Sequence, residues 1–285
     1  MTSTDFGCTY NINVSMYGDY LTSQNWVQDF VALADRLQQQ LSLRYSHFDC
    51  VYWEDENADL AVKSLKYIKQ NRKRIDNLLA TANIYGLGYT AAADATDLTR
   101  DAACSLGFYS PDSRPGVSKS YYQFSLQVPP QVLAPAVQQE GAWAFFLTVI
   151  RQIEELVHIR YGLIQPMEKE KRGGLYFANI FSEHLSQAER QSLHLWIRSQ
   201  QQYMNKIRDV YWGNLITDDH LGDHREVALD YISKMIAPNS IVEVAEGKYF
   251  FALPVDILTL SSIDDLESSR LKIKQVLTQY DMLMC

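Results

Sequence analysis

Apolar positions along the chain switch between two periods. Tyr10, Ile12, Val14 and Met16 alternate with polar neighbours, the period of a half-buried strand, and Gly18 and Asp19 punctuate its end. Trp26, Val27, Phe30, Val31, Ala34, Leu37 and Leu41 then recur at helical steps, an amphipathic helix for which Thr22 or Ser23 would be the N-cap. Residues 48–53 read as a second strand. Ala61, Leu65, Ile68, Ile75 and Leu79 predict a second helix, whose other face carries Lys69, Arg72, Lys73 and Arg74. A basic run of this kind is ordinarily a solvated helix face.

Residues 84–118 break any long periodicity. Gly86, Gly88, Gly107, Pro111, Pro115 and Gly116 interrupt them, and 105–119 is expected to be a mobile loop at a soft organisational boundary. Gly86-Leu-Gly88 lacks the third glycine and the strand–turn–helix context of a dinucleotide loop. Alternation returns at Tyr122, Phe124, Leu126 and Val128 and stops at Pro129-Pro130. Trp143, Phe146, Leu147, Ile150, Ile153, Leu156 and Val157 predict an apolar helix, and Ile159, Tyr161 and Leu163 another strand. A strand is expected at 175–180. Ser186 and Glu189 then make a capping box before a helix that carries Leu193, Trp196, Met204 and Ile207.

The last third continues with a strand at 210–216, a short helix from Val227 to Met235 that ends before Pro238, and a hairpin about Glu246-Gly247. Ser262 with Asp265 would cap a final helix. Interspersed strands and helices with a late hairpin predict an α+β fold: a mixed, largely antiparallel sheet flanked by helices, in one domain over residues 1–285. The strand–helix–strand order occurs in both parts and is compatible with two related halves.

Composition narrows the function. At 285 residues, 47% hydrophobic and 21% charged, the chain is an ordinary folded one. Its net charge of −8 argues against nucleic acid as a partner and suits a basic protein. No basic leader and no apolar run of membrane-spanning length are present, so a cytoplasmic protein that does not enter membranes is expected. Cys8, Cys50, Cys104 and Cys285 are far apart and read as reduced thiols.

Chemistry is sparse. No GxSxG elbow, phosphate loop or HExxH occurs, so no catalytic residue and no cofactor is assigned. His158, following Glu154 and Glu155, reads as a cation at a helix C-terminus. The densest stretch is 208–226. His220 and His224 would share one helix face, and Asp218, Asp219 or Asp223 could complete a metal site. Gly222 between the histidines opposes a continuous helix, while Thr217 and Asp218 are natural N-caps and Asp219 suits a first turn. Two functional readings remain. Asp218, Asp219, Asp223 and Glu226 contact a partner, or His220, His224 and nearby carboxylates serve a metal-dependent hydrolase.

Tyr211-Trp212-Gly213-Asn214-Leu215, then His220-Leu221-Gly222, then Val242-Glu243-Val244, and Tyr249-Phe250-Phe251-Ala252-Leu253-Pro254 followed by Asp256, resemble the C-terminal half of the type VI secretion immunity-protein family. The resemblance covers roughly residues 120–260, with Gly222-Asp223 standing where the family has a double glycine. It implies a binding protein rather than an enzyme, one that neutralises a cognate secreted effector toxin in the cytoplasm. The charge of −8 suits a basic toxin such as a nuclease. A homodimer is compatible with that role. The 18 tyrosines suit a binding surface, since tyrosine offers large area and a polar handle.

Overall fold

The computed structural model describes residues 10–20, 25–53, 60–91, 104–110, 121–138, 140–168, 185–191, 205–236, 241–260 and 266–283. Among the described residues ten strands occur: β1 (Tyr10–Tyr20), β2 (Tyr45–Trp53), β3 (Leu60–Lys66), β4 (Asn83–Ala91), β5 (Cys104–Tyr109), β6 (Tyr122–Val128), β7 (Val157–Glu168), β8 (Gly213–Thr217), β9 (Ile241–Ala245) and β10 (Lys248–Ala252). They form one sheet in the order β3-β2-β4-β5-β6-β1-β7-β8-β10-β9. Every pairing is antiparallel, so the α+β class holds while the sheet is not mixed. The helices whose whole span is described are α1 (Trp26–Gln40), α2 (Arg72–Thr81), α3 (Pro130–Ala136), α4 (Gly141–Glu154), the single turn α5 (Asp218–Leu221), α6 (Arg225–Met235) and α7 (Glu267–Gln279). The sheet does not divide into two strand–helix–strand halves, because β1 lies between β6 and β7 of the later part.

Register explains the core. Leu65, Phe48, Tyr89, Leu106, Leu126, Val14 and Ile164 stand directly opposite one another across β3, β2, β4, β5, β6, β1 and β7. Strand side chains alternate between faces, so this row marks one face of the sheet, and all seven residues are buried. α1 and α4 cover that face. Phe30 of α1 stacks on Phe108 at 5.5 Å, and Trp143 of α4 stacks on Phe250 at 6.2 Å. The row one residue further along reads Ser64, Asp49, Gly88, Gly107, Ser125, Ser15, Leu163 and Asn214. That row of the opposite face is therefore small and polar from β3 to β1, and the Tyr109 ring covers the space that Gly86 and Gly107 leave there.

Local signals fixed some elements as expected and others not. α1 is capped by Asn25, whose Oδ1 accepts the Val27 N–H at 3.2 Å. Thr22 and Ser23 lie outside the described residues. Residues 60–66 are strand rather than the start of a helix. Ala61 and Leu65 are four apart, a spacing that fits both periods, and Leu65 pairs opposite Phe48. A 3-10 turn at Lys69–Asn71 leads into the α-helix Arg72–Thr81, in which Ile75 is buried. The segment taken as irregular supplies β4 and β5. Gly86 is a close-approach glycine: a Cβ there would stand 2.3 Å from the Tyr109 ring, which lies across it. The helix expected to run to Val157 ends at Glu154, and Val157 begins β7. The strand expected at 210–216 is β8, shifted to Gly213–Thr217.

Ser186 and Glu189 do form the reciprocal capping box. The Ser186 N–H donates to Glu189 Oε2 at 2.8 Å, and the Glu189 N–H donates to Ser186 Oγ at 3.3 Å. The strand at 175–180, the body of the helix after Glu189 and the Ser262–Asp265 cap lie outside the described residues. The β9–β10 hairpin turns at Glu246-Gly247 with Gly247 at a φ of 67°, the left-handed region that glycine tolerates.

Gly18 sits at the register shift between β1 and β7, where an added Cβ would meet the His158 carbonyl oxygen at 2.2 Å. Backbone cannot yield as a side chain can. Gly18→Ala is expected to cost about 1–3 kcal/mol in urea denaturation. Gly88→Ala, whose Cβ would first meet an atom at 3.4 Å, should change stability by less than about 0.5 kcal/mol. Equal losses at the two positions would contradict this packing.

Candidate functional site

The acidic stretch begins where β8 ends. Thr217 caps α5, and His220 completes the box: its Nδ1 accepts the Thr217 N–H at 3.1 Å and lies 2.9 Å from the Thr217 hydroxyl. The His220 ring is buried and packs 5.6 Å from the Tyr161 ring. Gly222 ends the turn at a φ of 49°. α6 follows, and α7 packs against it. His224 lies beyond Gly222, its ring 4.7 Å from Tyr280 at the end of α7. The two histidines therefore meet different neighbours. Among the described residues no three His, Cys, Asp or Glu side chains are grouped as a metal would require.

The four acids divide into two pairs. Asp218 Oδ1 lies 3.1 Å from Arg225 Nε, and Arg225 also donates to the Tyr249 hydroxyl and stacks on its ring. Asp219 Oδ2 accepts from Arg160 at 3.2 Å, and the same guanidinium donates to Asp19 at 2.9 Å. The Asp19 hydrogen bond helps hold the Arg160 guanidinium above its ordinary range. Asp218 and Asp219 are thus committed to tying α5 to α6, β1 and β7. Asp223 and Glu226 are exposed and form no ion pair among the described residues.

A second cluster sits at the start of β10. Lys248 is buried, and its Nζ donates to Glu154 Oε1 and lies 2.9 Å from His158 Nδ1. The other Glu154 oxygen accepts the Ile159 N–H at 3.0 Å. One carboxylate at the end of α4 thereby pins β7 and β10. His158 is the second residue of β7 and not part of the preceding helix, which corrects its reading as a helix-terminal cation. Sequence reasoning missed this cluster. Its one legible signal is a lysine opening the strand Lys248-Tyr-Phe-Phe-Ala252, an odd residue in a run that is buried throughout.

Both cysteines among the described residues are sequestered. Cys50 and Cys104 are free and buried. Burial pushes the Cys104 thiol up to about 12 and the Cys50 thiol up to about 11. At neutral pH the reactive thiolate form is therefore depleted at both. Cys8 and Cys285 lie outside the described residues. No helix among the described residues is long and apolar enough to cross a membrane.

Comparison with known proteins gives a likeness of structure. No protein-family model matches the chain, and no curated protein matches it. A solved structure described as Pseudomonas aeruginosa T6SS protein PA0821 is similar to it with a TM-score of 0.52. The likeness covers 93% of this chain and 73% of that chain at 12% identity, so it is one of fold.

Two measurements test this account of the site. Glu154→Gln strands a buried ammonium and should cost about 3–5 kcal/mol, whereas Asp219→Asn breaks an exposed pair and should cost less than about 1 kcal/mol. Denaturation curves that rank them the other way would refute the assignment. In a Cys8→Ser/Cys285→Ser background, Cys50 and Cys104 should resist an aromatic disulfide reagent at pH 8 until the protein unfolds. Rapid labelling of the native chain would contradict their burial.

Proposed function

We propose that the chain is an immunity protein that binds and neutralises a cognate secreted effector toxin acting in the cytoplasm. The observation that carries this reading is the fold shared with a type VI secretion system protein over 93% of the chain. The site chemistry supports it. His220 caps a turn, His158 joins a buried ion pair, and Asp218 and Asp219 bind arginines of the same chain. These groups hold the fold together, and the reading makes the chain a binder rather than a catalyst. The charge of −8 fits an effector of basic character, a nuclease being one such class, because opposite fields steer encounter.

The test is competition between kin. Removing the gene for this chain should make its host sensitive to contact with the parent strain, and only while the parent's secretion apparatus is active. Expression of the full chain in the cytoplasm should restore resistance. The effector is then the secreted protein whose removal from the parent also ends the killing. Unimpaired growth of the deletion strain beside its parent would refute the reading.

A further inference from the structure

One helix face indicates where a partner sits. α6 turns Ala228 and Ile232 inward, both fully buried. Its outer side presents Val227 at 51% and Met235 at 37% exposed, with Tyr231 half-buried between them. The three are spaced four apart and so form one stripe along the helix. Asp223, Glu226 and Asp230 are exposed beside it. Asp230 is paired with Lys234, while Asp223 and Glu226 form no ion pair among the described residues. Exposed apolar groups rimmed by charge mark docking surfaces, and a tyrosine in their midst is a typical anchor.

Charge selects the occupant. Val62, 70% exposed, lies on the edge strand β3, which also carries Lys63 and Lys66 and precedes the basic run of Lys69, Arg72, Lys73 and Arg74 in the chain. That edge suits an acidic partner. The α6 face carries the opposite sign, that of the chain as a whole, and suits a basic one.

We propose that the outer face of α6, with Val227, Tyr231 and Met235 at its centre and Asp223 and Glu226 at its rim, docks the effector, which meets it with an apolar patch bordered by lysine and arginine. This rests on the immunity reading.

The test uses the full chain and the purified effector identified by the kin-competition assay. Val227→Gln with Met235→Gln should weaken binding about 10-fold or more, because it truncates two contacts at the centre of the interface. Asp223→Asn with Glu226→Gln should slow association several-fold at low salt, and the difference should close at high salt. Val62→Gln should leave binding unchanged. All these side chains are exposed, so melting temperatures should match the parent chain. A photoreactive residue at 227 should crosslink to the effector as an independent reading.

If the parent chain binds the effector and both α6 variants bind it equally well, the surface lies elsewhere and the immunity reading stands. Crosslinking of position 227 to a second copy of the chain, with the effector bound elsewhere, overturns the surface in the same way. A parent chain that binds no effector removes the immunity reading and this surface together.

Discussion

The pairing of β1 with β6 on one side and β7 on the other is the constraint on which the rest of the structure depends. β1 joins strands that begin more than a hundred residues later in the chain, and it is the strand through which β6 and β7 belong to one sheet. Its own alternation defines both faces. Ile12, Val14 and Met16 face the layer of α1 and α4, while Asn11, Asn13 and Ser15 face the polar side and are buried there. A slip of one residue would exchange the two sets, so the register is strongly specified. Such non-local pairing is slow to form, since loop closure precedes the contacts that reward it.

What was legible in the sequence was local. β1, α1, β6 and the β9–β10 hairpin each carry a clear period or turn residue within their own span. β3 was hidden because Ala61 and Leu65 satisfy both periods. β4 and β5 were hidden because Gly86 and Gly107, which make room for the Tyr109 ring, look like breaks. Of the site, the capping role of Thr217 and the turn at Gly222 could be read directly. The partners could not. Arg160 meets Asp19 across 141 positions and Lys248 meets Glu154 across 94, and only the strand order brings them together. For the same reason the pairing of Asp219 with Arg160 could not be read, whereas Asp218 finds Arg225 within its own stretch.

The charge of the chain is thus not spread evenly. One edge of the sheet, β3 with α2, is basic. The connection after β8 is acidic, and its inner acids are satisfied by arginines of the same chain while its outer acids are not. His220 and His158 are engaged in a cap and beside a buried ion pair, Lys248 is held by Glu154, and α6 leaves an acidic, partly apolar face outside.

The central claim is that this chain exists to hold one toxin. Its most direct test is affinity purification of the tagged full chain from its native cells under secreting conditions, with the bound proteins identified by mass spectrometry. The account predicts one stoichiometric partner that carries a secretion-associated toxin domain and an excess of lysine and arginine. Recovery of the chain alone, from cells that express the neighbouring genes, would contradict it.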